Sequence, residues 1–270
     1  MRHWIPALMV AAGLVVVAVP VVSGAAPGTC TRQLSLQPQA TVSESGGPIV
    51  FAVASGGCAA AGHVRVDVVD GSARRPGDFT GTGGELSWTA GDWSDRSVTF
   101  GVVDDGLGEA AMETFRVQLV VDGPGVAIAY GVGEGRILDD DSGARVVVAQ
   151  DVLVVADRGP GGPSAAPSPP VNALRGLGQD NVDPRFRFNV PPQSAVVLRY
   201  STVDGTAVGG VDFVPVTDAL VTVPAGALGG ELPVTLLAHS GGARSFSVRV
   251  ESLSPYVVLD GEAVVTIAGP

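Results

Sequence analysis

The chain has 270 residues, of which 46% are hydrophobic, so it can bury the core of one or two domains. Its net charge of -11 argues against nucleic acids and acidic membrane surfaces as partners, and leaves cations as natural ones.

The N-terminus has the pattern of a secretory signal peptide. Arg2 and His3 precede an apolar run over 4–22, and small residues follow at 23–26. We therefore expect a cleaved signal peptide over 1–25. An uncleaved membrane anchor is the alternative, because the run is nearly long enough to span a bilayer. No second run of that length follows, so the sequence predicts a secreted or cell-surface protein without a membrane span in its mature form.

The rest of the chain has the pattern of β-strands. Short runs with a period of two, separated by Gly, Pro, Asn and Asp, recur throughout, and no sustained helical period occurs. This pattern predicts an all-β protein made of β-sandwiches. In the first half we expect seven strands, near 33–43, 48–54, 63–70, 85–88, 96–103, 114–121 and 132–138.

An internal repeat divides the chain. The segments 70–79 (DGSARRPGDF) and 204–213 (DGTAVGGVDF) share the pattern D-G-[ST]-A-x4-D-F without a gap. We therefore predict two tandem sandwiches, over 32–141 and 142–270. The second carries an insertion at 157–184 that is rich in Gly and Pro, and such a composition predicts disorder because it cannot bury a core.

Acidic residues are concentrated in loops of the first sandwich. If consecutive strands alternate in direction, the first, third, fifth and seventh strands finish at the same end. Nine carboxylates follow those strands: Glu44, Asp78, Asp104, Asp105, Glu109, Glu113, Asp139, Asp140 and Asp141. The loops at the opposite end hold only three, Asp92, Asp95 and Asp122. The topology thus predicts an acidic rim at one end of the sandwich.

Such a rim is costly without a cation. Two unit charges about 4 Å apart repel by about 4 kcal/mol at an effective dielectric of 20. Ca2+ accepts six to eight oxygen ligands in flexible geometry, so we expect calcium, and more than one ion. Zinc and copper would favour His or Cys, which the rim lacks. The alternative is that these residues are ordinary solvated turn acids.

The two cysteines predict a disulfide. Cys30 precedes the first strand and Cys58 follows the second, so a hairpin between them places the two residues almost opposite each other. A disulfide also suits an exported chain.

The assembled motifs resemble those of the Calx-beta family. The matching segments are VSES (42–45), DGSARRPGDF (70–79), VVDDGLGEAAMETF (102–115) and GRILDDD (135–141). The resemblance implies an immunoglobulin-like sandwich whose nine rim carboxylates are calcium ligands. The second unit is a degenerate copy: it keeps Asp204 and Asp212, but Arg244 stands at the place of Glu113. We therefore expect no calcium site there.

Together these patterns predict an exported calcium-binding protein. Calcium would stiffen the junction between the two units, in the service of adhesion or surface interaction. The alternative is a metal-independent scaffold that binds an extracellular protein or glycan. We expect no enzymatic activity, because no G-x-S-x-G, H-E-x-x-H or phosphate-binding loop occurs. A hydrolase using the acid cluster is a third possibility.

Overall fold

A computed structural model describes residues 30–155, 173–175, 181–237 and 242–267. These residues form β-strands and one 3-10 turn, Glu44–Gly46. Among them there is no helix long and apolar enough to span a bilayer. The predicted all-β class is therefore confirmed. The predicted signal peptide, 1–25, lies outside the described residues.

The first domain is a sandwich of two five-stranded sheets. Its strands are β1 (Arg32–Leu36), β2 (Gln39–Ser43), β3 (Ile49–Gly57), β4 (Gly62–Asp70), β5 (Phe79–Thr80), β6 (Gly84–Trp88), β7 (Arg96–Val102), β8 (Glu113–Val121), β9 (Val126–Tyr130) and β10 (Val132–Leu138). One sheet has the order β5-β7-β3-β1-β9, and the other has the order β2-β10-β8-β4-β6. Each of the seven expected strands has a counterpart here, the first of them in two parts.

At the start and at the end of this domain the chain crosses from one sheet to the other. The predicted single strand 33–43 is wrong in this respect: it breaks at Gln37 and Pro38, where Pro cannot donate a ladder hydrogen bond. The β1 part pairs with β3, and the β2 part pairs with β10. Strand β9, which the sequence pattern did not predict, leads in the same way into β10 at Gly131.

Aromatic residues of the repeat form the centre of both cores. Phe79 and Phe115 stack with ring centroids 4.1 Å apart in the first domain. Phe213 and Phe246 stack in the same manner, 4.0 Å apart, in the second. All four are fully buried. The shared D-F pattern therefore places an acidic residue immediately before a core aromatic, which holds that residue at the edge of each sandwich.

The second domain is also a sandwich. Its strands are β11 (Val146–Ala149), β12 (Val152–Val155), β13 (Ala173–Arg175), β14 (Asn181–Val182), β15 (Arg185–Phe188), β16 (Val196–Val203), β17 (Ala219–Val223), β18 (Gly229–Glu231), β19 (Val234–Thr235), β20 (Arg244–Ser252), β21 (Val257–Asp260) and β22 (Glu262–Ile267). A sheet of order β18-β15-β11-β21 faces one of order β13-β12-β22-β20-β16-β17, and β14 pairs with β19.

The predicted disordered insertion, 157–184, lies mostly outside the described residues. Two parts of it are strands. Ala173–Arg175 pairs in parallel with β12, and Asn181–Val182 pairs with Val234–Thr235. Val182 is fully buried in the core. For these residues the prediction of disorder is wrong, because both segments pair with neighbouring strands and Val182 adds apolar surface to the core.

The predicted disulfide joins Cys30 to Cys58, with the Cα atoms 6.0 Å apart. It ties the start of β1 to the end of β3. By the chain-entropy model, closing a loop of this length contributes about 3 kcal/mol to stability. The bond lies at the end of the sandwich opposite the 3-10 turn, so it leaves the acidic loops unconstrained.

Candidate metal centre

Four segments meet at one end of the first domain. β2, β4 and β10 run in the same direction, because β10 pairs in parallel with β2 and both β10 and β4 pair antiparallel with β8. In the other sheet β7 runs in the direction of β1, which leads into β2, because both β1 and β7 pair antiparallel with β3. The 3-10 turn follows β2, and the loops after β4 and β7 and the segment after β10 lie beside it. The strand alternation expected from the sequence is therefore present, and it delivers the acidic segments to a common edge.

The carboxylates of this edge approach each other in two groups. Oxygen atoms of Glu44, Asp140 and Asp141 lie within 4.8 Å of one another. Oxygen atoms of Asp78, Glu109 and Glu113 form a second group within the same distance. Segments far apart in sequence contribute to each group, so the clusters are products of the fold rather than of one turn.

The remaining three carboxylates connect the two groups. The charge of Asp139 raises the pKa of both Glu44 and Glu113, so Asp139 lies within reach of each group. Asp104 and Asp105 act on Asp141, whose pKa is also raised, chiefly by desolvation. We call these nine residues together the acidic rim. Every carboxylate that the sequence assigned to the rim is therefore there.

Two glutamates of the acidic rim have buried oxygen atoms without a partner. Glu44 is 5% exposed, and neither its Oε2 nor the Oε2 of Glu113 accepts a hydrogen bond within the described chain. Desolvation, followed by the charge of Asp139, raises the pKa of Glu44 to about 7. Desolvation, followed by the charge of Asp78, raises the pKa of Glu113 to about 7. Buried carboxylate oxygens aimed into a negative cluster fit a hard divalent cation.

Short-range hydrogen bonds hold the loops in place. Ser45 Oγ donates to Asp140, which connects the 3-10 turn to the end of β10. The backbone N–H of Arg74 donates to Asp78 Oδ2 over 2.6 Å, and that of Leu107 donates to Asp105 Oδ1 over 2.9 Å. These bonds position carboxylates without neutralising them, so the rim keeps its negative charge.

Asn189 of the second domain connects the acidic rim to the junction between domains. It is fully buried in the turn that follows β15. Its Nδ2 donates to Asp139 O over 2.8 Å and to Ala144 O over 2.6 Å, and its Oδ1 accepts from Val146 N over 2.9 Å. Sequence reasoning missed this residue, because a lone Asn 50 positions after the acidic run carries no recognisable signal.

A second set of bonds fixes the domains beside this junction. Arg136 on β10 is 7% exposed, and its Nη1 donates to Asp260 Oδ2 over 2.7 Å. Gln39 Oε1 accepts from the backbone N–H of Asp151 over 2.8 Å. Each of these bonds crosses from the first domain to the second. The acidic rim is therefore next to an interface in which several hydrogen bonds join the two domains.

The second domain replaces the rim with an internal ion pair. Arg244 Nη1 lies 3.2 Å from Asp212 Oδ2, and the Asp212 side chain is only 2% exposed. Asp212 precedes Phe213 as Asp78 precedes Phe79, and Arg244 holds the position that Glu113 has before Phe115. A guanidinium thus lies where the first domain has a carboxylate, which agrees with the expectation of no calcium site here.

Replacing Arg244 by Met should destabilise the second domain by about 2 kcal/mol, because the buried Asp212 carboxylate loses its neighbouring charge. Urea denaturation measures the change. The matched control is Arg249→Met, since Arg249 is 62% exposed and lies 3.7 Å from Glu262. A surface pair of this kind contributes about 0.5 kcal/mol or less. Equal losses in the two variants would contradict the role assigned to Arg244.

The calcium-free protein should become less stable as the pH rises from about 4.5 to about 7. Glu44 and Glu113 have pKa values of about 7 in the fold against 4.5 ordinarily. The unfolded chain therefore binds fewer protons than the folded one in this window, so the free energy of unfolding falls as pH rises. Denaturation midpoints at pH 5 and pH 8 measure this. The double variant Glu44→Gln with Glu113→Gln should have a flatter profile, and an equally steep one would contradict the assignment.

Comparison with known proteins agrees with this geometry. The family model of the Calx-beta domain matches residues 33–141 and again 187–269. The chain therefore belongs to the Calx-beta domain family, with two copies in tandem. Calx-beta domains are calcium-binding β-sandwich domains. No curated protein matches the chain.

Solved structures of tandem Calx-beta domains are among the similar ones. The crystal structure of CBD12 from CALX1.2 is 18% identical, with 87% of this chain and 99% of that chain covered and a TM-score of 0.39. The apo-form Calx CBD1 domain is 28% identical, with 41% of this chain and 99% of that chain covered and a TM-score of 0.39. These scores are low, so the family assignment depends on the family model.

Proposed function

We propose that this is an exported protein that binds calcium at the acidic rim of its first domain, and that the ions stiffen the junction with the second domain. The observation that carries the proposal is the pair of buried, unpartnered carboxylate oxygens of Glu44 and Glu113. A carboxylate placed in that position is costly in the absence of a cation.

The acidic rim divides naturally into two ligand groups. Glu44, Asp140 and Asp141 would hold one ion, and Asp78, Glu109 and Glu113 would hold another. Asp104, Asp105 and Asp139 remain to complete or bridge them. Bound calcium would supply positive charge that neutralises the acidic rim. The carboxylates of the 3-10 turn and of the loops would then no longer repel each other.

Asp139 connects the acidic rim to the junction between the two domains. Its side chain accepts bonds from the backbone N–H groups of Asp141 and Ser142, and its carbonyl accepts from Asn189 of the second domain. When cations neutralise the acidic rim, the Asp139 carboxylate is held in place at the rim while its carbonyl oxygen is held by Asn189. Without cations the same segment is subject to repulsion from its neighbours, so the domains should hinge there.

Calcium-stiffened tandem sandwiches suit adhesion or interaction at a surface outside the cell, with an extracellular protein or glycan as the partner. The Cys30–Cys58 disulfide supports an oxidising compartment. The apolar N-terminal run supports export by a signal peptide. On this proposal the protein is a non-catalytic binding module.

Small-angle X-ray scattering of the whole chain tests the junction. Calcium-free protein should give the profile of a flexible pair of domains, and calcium should convert it to that of a single rigid rod. The variant Glu44→Gln with Glu113→Gln is the control and should not respond. Identical profiles with and without calcium in the natural chain would contradict the stiffening.

A metal-independent scaffold remains the second candidate, and the second domain illustrates it. There the Asp212 carboxylate faces Arg244 and needs no metal ion. In the first domain Arg75 lies in the loop that carries Asp78, yet its Nε lies 2.7 Å from Asp70 and its guanidinium packs over Phe79. Arg75 is thus engaged away from Glu113, and this difference between the domains favours the calcium-binding proposal.

A further inference from the structure

A cavity of about 190 Å³ lies between the two domains, below the 3-10 turn. Thr41 on β2 and Gly46 of the turn line it from the first domain, and Gln150, Arg185 and Arg187 line it from the second. It is separate from the acidic rim, because none of the nine rim carboxylates lines it. Since one water occupies about 30 Å³ of liquid, the cavity has room for a ligand of several heavy atoms.

The cavity is positively charged in an acidic protein. Two guanidinium groups line it, and among the described residues no carboxylate does. Arg185 and Arg187 alternate with Phe186 and Phe188 along β15, and the two Phe residues are buried in the core of the second domain. The period of two therefore directs both Arg side chains out of that sheet and toward the first domain.

The two arginines differ in their partners. Arg185 Nη2 lies 3.3 Å from Glu231 Oε1. Arg187 is half-buried, and its guanidinium has no hydrogen bond or ion pair within the described residues. Burial and the neighbouring charge of Arg185 lower the pKa of Arg187, but an arginine does not lose its proton at neutral pH. A half-buried, unpaired guanidinium is therefore a group that gains from an anion.

The first domain contributes a donor to the same cavity. The Thr41 hydroxyl is buried and has no hydrogen-bond partner within the described residues. Leaving such a group unsatisfied costs about 1–3 kcal/mol. Thr41 from one domain and a guanidinium from the other thus line the same partly open space. A rotation about the Cα–Cβ bond of Thr41 would turn its buried hydroxyl toward a ligand oxygen held there by the guanidinium.

We propose that this interdomain cavity binds a small oxyanion, with Arg187 as the charged anchor and the Thr41 hydroxyl as a second donor. A carboxylate or a phosphoryl group has the required chemistry, because each offers oxygen atoms to the planar fork of a guanidinium. The ligand would connect β2 to β15 and so hold the domains together at a point distinct from the acidic rim.

Calorimetric titration of the whole chain tests the site, with inorganic phosphate and succinate as the two probes at constant ionic strength. The protein is freed of calcium on a chelating resin, because a soluble chelator is itself a polycarboxylate and phosphate precipitates calcium. We expect one site per chain for at least one probe, and the probe that binds identifies the class of anion. Arg187→Gln should weaken this binding at least about tenfold, and the exposed control Arg249→Gln should leave it unchanged.

Thr41→Val provides a second readout. It removes the unsatisfied hydroxyl while keeping the shape of the side chain, so the ligand-free protein should melt at a higher temperature than the natural chain. The increase in melting temperature on adding the bound probe should become smaller. Absence of heat with both probes, or equal binding by the natural chain and Arg187→Gln, would overturn the proposal. Either result would leave the calcium proposal untouched, since calcium is absent throughout.

Discussion

Replacing Glu113 by Gln should stabilise the calcium-free protein and at the same time remove most of the stabilisation that calcium gives to the natural chain. The half-buried Glu113 carboxylate faces Asp78 and Glu109, and desolvation and the charge of Asp78 raise its pKa to about 7, so ionisation is disfavoured in the fold. A neutral amide of the same shape should therefore raise the free energy of unfolding by about 2 kcal/mol at pH 8 without calcium.

Calcium should reverse the order of stability, so that the natural chain becomes more stable than Glu113→Gln. A ligand present at about 1,000 times its dissociation constant stabilises the folded state by about 4 kcal/mol. The natural chain gains this amount, whereas Glu113→Gln has lost a charged ligand and gains little. Urea denaturation with and without calcium measures all four values. The matched control is Asp67→Asn, a partly exposed acid on β4 of the same domain that lies outside the acidic rim. Parallel calcium responses in Glu113→Gln and Asp67→Asn would contradict the account.

Replacing Asn189 by Ala should cost about 3 kcal/mol, and it should uncouple the two domains. The variant leaves Asp139 O, Ala144 O and Val146 N without their side-chain partner in a buried junction. Each unsatisfied buried group costs about 1–3 kcal/mol, and partial access of water reduces the sum. Denaturation measures the loss, and the scattering profile measures the coupling.

The scattering profile distinguishes a role of Asn189 in the junction from a loss of stability alone. In Asn189→Ala calcium should still bind, since none of the nine rim carboxylates is changed, but it should no longer convert the flexible profile to a rigid one. Asn189→Asp is the companion variant: it keeps an acceptor for Val146 N and places a carboxylate against two carbonyl oxygens, so it should be less stable than Asn189→Ala. A fully calcium-responsive profile in Asn189→Ala would show that the stiffening takes another route.

Much of the rim could be predicted from the sequence because it depends on strand direction alone. Once 63–70 and 96–103 are recognised as parallel members of a sandwich, Asp78 and Asp104 must follow them at the same end. The repeat of D-F motifs placed Asp78 and Asp212 beside core aromatics, and the departure at Arg244 already indicated a copy without calcium. The common end of the acidic loops needed only local periodicity and turn chemistry, whereas the ligand set and the degenerate second copy came from the resemblance to the Calx-beta family.

The features that escaped prediction depend on pairing across the fold. Strand β9 has a weak alternation and is recognisable only by its parallel pairing with β1. Val182 lies in a segment whose composition indicates disorder, yet it is buried by a pairing with Val234. Asn189 and Arg187 are single polar residues whose importance comes from neighbours 40 or more positions away. No local pattern carries such information, so neither the contacts of the junction nor the interdomain cavity could be foreseen.

Calcium titration of the whole natural chain by calorimetry tests the central claim most directly. We predict saturable binding of more than one Ca2+ per chain at neutral pH, accompanied by release of protons from Glu44 and Glu113, and loss of that binding in Glu44→Gln with Glu113→Gln. No heat up to roughly 10 mM calcium, which exceeds the dissociation constants of even weak extracellular modules, would contradict the claim. Undiminished binding by the double variant would contradict it equally.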